Sequence, residues 1–303
     1  LGDVYKRQVF YLGGGCMAQK RRRKRNRFAD IMSGLLMAIA LVVFLFSGYM
    51  LYGFYKEYKA GTDEYDNLEN SYTVQQESEQ DFDELEDDSA LQEVGGHEVR
   101  SVMYNGQEIK VPVVSNPIDF EELEAVNEDI VGWLRISALD ISYPVVQGTD
   151  NDFYLHRTFE KEDNFAGCIF LNADNKSDFT DQNTIVYGHN MKNGSMFGKL
   201  KDFREEEVFN KSKYFWMFTD DLIYQYRIFS ACVVNKTGLT YQTFFVNNEF
   251  DEFVNAAYES SEVDTSGVEV TRDDRVMTLS TCTGDDATRF VVIGKLAQIY
   301  ASK

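Results

Sequence analysis

The sequence has few cysteines and few histidines, and both shortages narrow the chemistry open to it. Its 303 residues contain four cysteines and three histidines. Residues 1–16 begin with Leu1 and show no clear structural logic, so we predict that they are a non-native leader and leave Cys16 out of the count. The remaining three, Cys168, Cys232 and Cys282, cannot form a disulfide scaffold, and their odd number leaves at least one free thiol.

Basic residues are also scarce outside one short run. The chain has 30 Lys and Arg against 50 Asp and Glu, and its formal net charge is −20. Residues 62–96 are acidic and lack periodic apolar positions, so we predict that residues 56–98 form a disordered, self-repelling stalk. An acidic recognition tail is the alternative, and a solvated spacer is favoured over it. The acidic character of everything after residue 56 gives no sign of nucleic-acid binding.

The one long apolar run predicts a membrane anchor. Residues 31–55 carry no charge, and a helix needs about 20 apolar residues to cross a bilayer. The basic residues 17–30 precede this run, so we expect them to be cytoplasmic and the rest of the chain to lie outside the membrane. A cleaved signal peptide is the alternative. It is disfavoured because the run is too long for such a segment and no A-x-A-like site follows it.

From residue 99 onward the pattern is that of a globular domain, which we assign to residues 99–303. Short helices are predicted around residues 116–129, with Phe120, Leu123 and Val126 on one face, and at residues 194–203, 205–215 and 248–261. Strands are predicted at residues 132–136, 141–148, 167–172, 183–190, 221–234, 275–282 and 289–300. Many strands with helices set into their connections favour a β-barrel or sandwich over βαβ units.

The stretch TLSTCTGDDATRFVV, residues 278–292, places a cysteine at a strand end with an arginine across a turn. Alternation separates Met277, Leu279 and Thr281, which we assign to the core, from Thr278, Ser280 and Cys282 on the opposite face. That polar row suggests a groove. Arg289 opens the next strand seven positions later. If the two strands form an antiparallel hairpin, the thiol and the guanidinium lie at the same end of the sheet.

A cysteine nucleophile needs a base, and the histidines offer one clear candidate. His97 lies in the predicted stalk and His156 in a polar loop, whereas His189 ends a strand directly after Gly188. Cysteine, histidine and arginine at strand ends indicate acyl transfer, with a thioester, a proton carrier and an oxyanion partner. Each has a structural alternative: an inert thiol, a satisfied histidine, or an arginine paired with Asp285 or Asp286.

These segments together resemble the sortases of Gram-positive bacteria, most closely class B. TLSTC followed by Arg289 is similar to the sortase active-site signature, and NTIVYGHNM, residues 183–191, is similar to its histidine segment. The resemblance implies an eight-stranded sortase β-barrel with an N-terminal helical region. It implies a cysteine transpeptidase that needs no cofactor or metal. In that family Cys282 would be the nucleophile, His189 the general acid and base, and Arg289 the contact to the oxyanion and substrate backbone.

The same resemblance implies the substrates and the groove. An NPxTx-type sorting signal would be cleaved after threonine and passed to an amine of a peptidoglycan precursor. The implied substrate-binding residues are Ser280, Tyr187, Asn151, Leu155 and Thr281. The alternatives are a pilin-polymerising sortase, a cysteine endopeptidase, or a non-catalytic, membrane-tethered β-barrel that binds a partner. Asp285 and Asp286 are local candidates for a third catalytic carboxylate.

Overall fold

The computed structural model describes residues 27–73, 82, 98–265 and 267–303. The chain divides into two compact units, residues 1–53 and 54–303. A single helix, α1 (Arg27–Tyr72), contains the apolar run, and it is long and apolar enough to cross a membrane. The predicted anchor at residues 31–55 lies within this helix. The predicted leader, the basic segment as far as residue 26, and His97 lie outside the described residues.

The domain that follows contains ten strands and three further helices. The strands are β1 (Val99–Tyr104), β2 (Gln107–Val114), β3 (Ile130–Ile136), β4 (Ile141–Val146), β5 (Ile169–Leu171), β6 (Asn183–Tyr187), β7 (Tyr214–Phe218), β8 (Leu222–Asn235), β9 (Val276–Cys282) and β10 (Thr288–Ser302). The helices are α2 (Phe120–Val126), α3 (Glu206–Phe209) and α4 (Glu249–Ser260).

Eight of the strands close into a barrel, as the family resemblance predicts. The sheet order is β1-β2-β10-β8-β7-β3-β4-β5-β6-β9, and the pairing of β9 with β10 closes the last eight strands. The long strands β8 and β10 shift register after Ile293 and again after Leu296, which lets them bend around the barrel. Gly294 lies at the first shift, where an added Cβ would come within 2.5 Å of Phe215.

Two apolar clusters hold this domain together. The larger one includes Phe215 and Trp216, which are neighbours on β7 and therefore lie on opposite faces of the sheet. The smaller one lies between α4 and the outer face of β8 and β10, and it includes Val276 at the start of β9. Helix α4 buries Phe250, Phe253, Val254 and Ala257, which recur at helical spacing. All of β9 before Cys282 is buried.

The helix predicted at residues 194–203 is not formed, although its apolar residues are buried. Met196 has a φ of 51°, Gly194 has a φ of 84°, and an ordered 3₁₀ turn begins only at Leu200. Gly198 approaches the carbonyl of Met191, where an added Cβ would lie 2.3 Å from the oxygen. Close packing of this turn on the barrel therefore replaces helical hydrogen bonding. Val126 also departs from its predicted face, since it ends α2 and is exposed.

At residues 56–72 the structure has a helix where the sequence predicts the first part of a disordered stalk, and most of the rest of the predicted stalk (residues 56–98) lies outside the described residues. Helix α1 continues to Tyr72, and Tyr65 and Leu68 are buried against the barrel domain. Apolar or small residues recur at helical spacing, namely Tyr58, Gly61, Tyr65, Leu68 and Tyr72. This pattern is sparse because acidic residues fill the other face. Phe82, the one described residue between 74 and 97, is buried against Trp216 and Phe218.

Candidate active site

Cys282 lies at the end of the middle strand of three. Strand β9 pairs in parallel with β6 and antiparallel with β10. Cys282 is exposed, whereas the six residues of β9 that precede it are buried. Arg289 is its direct partner across the β9–β10 pair, as the sequence predicts. Opposed residues of an antiparallel pair share one face, so the thiol and the guanidinium lie on the same side of the sheet.

The neighbouring strand delivers His189 to the same edge. Tyr187 is level with Ser280 in the parallel β6–β9 pair, so the chain reaches the level of Cys282 two residues later, at His189. The side-chain amide of Asn190 donates to the carbonyl oxygen of Cys282 at 2.7 Å. This bond ties the histidine segment to the end of β9. The fold therefore brings the three predicted residues to one edge of the barrel.

Gly188 makes this turn possible because there is no room for a side chain. A Cβ at this position would lie 2.5 Å from Ile169 and 2.7 Å from Phe197. The hydroxyl of Thr281 donates to the Gly188 carbonyl at 2.7 Å, and Thr281 is buried. The sequence assigned Thr281 to substrate binding, but its side chain is turned away from the Cys282 face. Its contact instead holds the strand end that carries His189.

The imidazole of His189 is half-buried, and its hydrogen bond fixes its tautomer. Nε2 lies 2.8 Å from the carbonyl oxygen of Leu155. A carbonyl oxygen can only accept, so Nε2 carries a proton and Nδ1 holds the lone pair of the neutral ring. The family resemblance implies that Leu155 lines the substrate groove. In the structure the backbone carbonyl of Leu155 orients the histidine ring.

The pKa of His189 is lowered, and the second histidine of the site contributes to this. Burial is the main cause and the nearby His156 adds to it, while the hydrogen bond to Leu155 acts in the opposite direction. The two rings lie 6.3 Å apart between centroids. His156, which the sequence treats as incidental, therefore influences the charge of the catalytic candidate.

We expect His156→Gln to raise the pKa of His189, because the substitution removes a positive charge that opposes protonation. In the wild type the imidazole should titrate below its unperturbed value of about 6.5. The unfolded chain then binds this proton more tightly than the folded protein, so acidification through that range should lower the free energy of unfolding. The chemical shift of the His189 ring, followed by NMR against pH, measures the shift. An unchanged midpoint in His156→Gln would contradict the coupling.

A pair of tyrosines covers the polar row of β9. The rings of Tyr187 and Tyr241 stack with centroids 6.3 Å apart and planes 7° from parallel. The hydroxyls of Tyr241 and Ser280 are hydrogen-bonded at 2.9 Å. Thr278 and Ser280 are buried, so the predicted groove reaches solvent only at the Cys282 end. Burial raises the pKa of both phenols, which keeps them protonated.

Tyr241 is a site residue that sequence reasoning missed. It ends a 3₁₀ turn, Leu239–Tyr241, in the long connection between β8 and α4. No periodic pattern marks such a turn, and nothing local in the sequence points to β9. The only local feature that could have pointed to Tyr241 is an aromatic residue with two threonines and a glutamine beside it. The contact with Ser280 arises entirely from the way the connection folds back over the sheet.

Asn151 joins the same surface through a second amide. Its side-chain nitrogen donates to Asn172 Oδ1 at 3.1 Å, and its Oδ1 accepts from the backbone N–H of Ala173 at 2.8 Å. The amide of Asn172 in turn donates to the Tyr187 hydroxyl at 3.4 Å. Asn151 and Tyr187, both predicted to line the groove, are therefore linked by hydrogen bonds through Asn172. The Tyr187 ring in turn stacks on that of Tyr241.

The turn between Cys282 and Arg289 is closed by its own side chains. The hydroxyls of Thr283 and Thr288 lie 2.6 Å apart, and Asp285 Oδ1 accepts from the backbone N–H of Ala287 at 2.8 Å. Nη1 of Arg289 donates to the carbonyl oxygens of Asp286 and Thr288. Asp285 thus stabilises the turn, and the position beside His189 Nε2 is taken by the Leu155 carbonyl.

The other two described cysteines are free and buried. Burial raises the pKa of the Cys168 thiol to about 12 and also raises that of Cys232. A buried, protonated thiol is a poor nucleophile, so the structure agrees with their assignment to the core. In the part of the chain that the structure describes, no group of three or more His, Cys, Asp or Glu is placed to hold a metal ion.

Comparison with known proteins places this site in a recognised family. The family described as the sortase domain matches residues 134–297, which include all three catalytic candidates. Sortase B of Listeria monocytogenes is 32% identical over 265 residues, covering 86% of this chain and 95% of the relative. The structure titled Staphylococcus aureus sortase B–substrate complex is 35% identical, with a TM-score of 0.55, covering 59% of this chain and 84% of that one. A structure of sortase B complexed with triglycine is 35% identical, with a TM-score of 0.56, covering 59% and 85%.

Proposed function

Because the chain belongs to the sortase family of cysteine transpeptidases, we propose that it attaches surface proteins to the cell wall. The substrate is an NPxTx-type sorting signal, cleaved after its threonine, and the acceptor is an amine of a peptidoglycan precursor. The observation that carries the proposal is the exposed Cys282 with Arg289 directly opposite and His189 on the adjoining strand end.

In the first half-reaction Cys282 becomes acylated. Its sulfur attacks the threonine carbonyl carbon while the thiol proton passes to Nδ1 of His189. Arg289 stabilises the negative charge that develops on the carbonyl oxygen. The carbon–nitrogen bond then breaks, and His189 returns the proton to the leaving amine. The product is a thioester between Cys282 and the threonine.

The second half-reaction reverses the proton path. His189 Nδ1 removes a proton from the incoming amine, whose nitrogen attacks the thioester carbonyl. Arg289 again stabilises the oxyanion, and the Cys282 sulfur leaves and regains its proton. Tyr187, Tyr241 and Asn151 are proposed to line the groove that holds the signal, and Ser280 is proposed to support it from behind through its hydrogen bond to Tyr241. Two related structures support both partners, since one is titled a substrate complex and the other contains triglycine, a peptide with a free amine.

The site of action proposed for this chemistry is the outer face of the cell membrane. The apolar run of α1 would cross the bilayer once, with the basic residues before it in the cytoplasm. The catalytic domain would then face the cell wall. Labelling of an engineered cysteine in the basic segment by a membrane-impermeant reagent, in a Cys282→Ala background that removes the exposed native thiol, tests this orientation. Labelling of that cysteine in intact cells would contradict it.

Incubation of the detergent-solubilised full chain with peptides tests the reaction itself. We expect an NPQTN-like peptide to be cleaved after threonine and joined to an added amine, and an LPxTG-like peptide to react more slowly. Mass spectrometry of the products with and without the amine distinguishes the outcomes. Hydrolysis that ignores every acceptor would indicate an endopeptidase, and a preference for a pilin lysine would indicate a polymerase. An absence of turnover with any peptide would favour a binding module.

A further inference from the structure

The part of α1 after the apolar run packs on the loop that contacts the catalytic histidine. This β4–β5 loop, residues 147–168, contains Leu155. The ring of Tyr58 meets Phe165 edge to face with centroids 4.5 Å apart, and an added Cβ on Gly61 would lie 3.2 Å from the side-chain amide of Asn164. The Asn164 amide donates to the Glu57 carbonyl at 3.2 Å. The helix and the loop are therefore in direct contact along more than two turns.

One contact of this interface leads to the active site. The hydroxyl of Tyr65 is buried and donates to the carbonyl oxygen of Gly167 at 2.8 Å. Gly167 has a φ of 58°, and a Cβ there would lie 2.6 Å from the Leu155 carbonyl oxygen. The Gly167 peptide is thus pressed against Leu155 with no side chain between them. The Leu155 oxygen is the atom that lies 2.8 Å from Nε2 of His189.

A second hydrogen bond closes the same part of the loop. The backbone N–H of Cys168, next to Gly167, donates to the Tyr154 carbonyl at 3.0 Å, beside Leu155. The Tyr65 ring is itself held edge to face by Tyr143, with centroids 5.4 Å apart. The Tyr65 hydroxyl and the Gly167 peptide to which it donates are therefore both held in place. We call the series of contacts from Tyr65 through Gly167 and Leu155 to His189 the relay. It positions the histidine without any conformational change.

We propose that Tyr65 is a positioning residue for catalysis, whose hydroxyl holds the Leu155 carbonyl where it fixes the tautomer of His189. The proposal rests on the proposed function for its kinetic consequence, though not for its spectroscopic one. A hydrogen bond to one nitrogen of a functional histidine sets the tautomer and the orientation of the ring, and so determines what the other nitrogen can do. The helix that follows the membrane anchor is on this reasoning part of the catalytic unit and not a spacer.

Tyr65→Phe in the full chain tests the relay, because it removes the hydroxyl and keeps the ring. Tyr58→Phe is the matched control, since Tyr58 contacts the same loop through its ring. We expect kcat to fall about fivefold in Tyr65→Phe, the factor that one neutral hydrogen bond is worth, with KM unchanged. Tyr58→Phe should leave both constants unchanged. A Tyr65→Phe kcat within error of the control would overturn the proposal.

The pKa of His189, followed by NMR in a Cys282→Ala background, gives a readout that needs no substrate. The Leu155 hydrogen bond favours the charged imidazole, so its loosening in Tyr65→Phe should lower this pKa further. Gly167→Ala, which forces a Cβ against the Leu155 oxygen, should lower it more. An unshifted pKa in both variants would refute the relay even if peptides are turned over. A shifted pKa in a chain that turns over no peptide would support the relay and count against the proposed function alone.

Discussion

Cys282→Ala will abolish peptide cleavage by the full chain, with a loss of about 10⁴-fold or more. The reason is chemical, because alanine offers no atom that can form the thioester. The side chain is exposed at the end of β9, so its truncation removes little packing and the fold should be unaffected. Peptide turnover and the mass of the trapped acyl-enzyme measure the effect. Wild-type protein should gain the mass of the acyl group, and the variant should not.

Cys232→Ala is the matched control for this experiment. The thiol is buried between β8 and α4, away from the edge that carries Cys282. Its truncation leaves a small cavity and should reduce stability by about 1 kcal/mol while activity is retained. Residual turnover in Cys282→Ala comparable to the wild type would show that another group is the nucleophile. Loss of acylation in Cys232→Ala, with an intact fold, would point to the buried thiol instead.

Arg289→Ala is expected to lower kcat by about 10² to 10³-fold, the range found when one oxyanion partner is removed. Arg289 is opposite Cys282 in the β9–β10 pair, so in the proposed reaction its positive charge would lie on the same side of the sheet as the carbonyl that the thiol attacks. Arg289→Lys should recover part of this loss, because it keeps the charge but lacks the planar fork of donors. Separate measurements of kcat and KM show whether the transition state or the bound substrate is affected.

The exposed Arg272 provides the control for the loss of one positive charge. It forms an ion pair with Asp251 on the surface of α4, so Arg272→Ala changes the net charge equally without touching the site. We expect its kcat to match that of the wild type. If Arg289→Ala kept nearly full kcat and raised only KM, the guanidinium would bind the substrate without stabilising the oxyanion.

The active-site strands were predictable because their pattern is local. Alternation in residues 275–282 and the short turn after them predict that Cys282 and Arg289 lie at the same end of the sheet if the strands form a hairpin. The structure has that hairpin and makes the two residues direct partners. The position of His189 relative to Cys282 could be proposed only from chemistry and from family resemblance. The two residues are 93 positions apart, and the parallel pairing of β6 with β9 that joins them leaves no mark within either strand.

The part of α1 that follows the apolar run has a helical pattern that its composition hides. Acidic residues dominate the composition of residues 56–72, and composition predicts disorder. The apolar stripe containing Tyr65 and Leu68 is narrow but has helical spacing, and it is buried by the barrel domain. Burial of that stripe stabilises the helix although its other face is polar. Tertiary packing therefore makes this segment helical, whereas its composition alone predicts disorder.

The sequence by itself determined the covalent chemistry of this protein: one thiol among polar neighbours, one histidine at a strand end, one arginine across a turn, and an apolar run before the domain. Periodicity determined most strands, since the alternation of side chains is a property of the local backbone. The tertiary structure decided which partner each of these groups has. It pairs Nε2 of His189 with the Leu155 carbonyl oxygen, and it places the Tyr241 hydroxyl in a hydrogen bond with Ser280 of the polar row on β9. It also places the Tyr65 hydroxyl in a hydrogen bond with the Gly167 carbonyl oxygen. These contacts join residues that are distant in the chain, and their energies depend on distances that only the closed barrel sets.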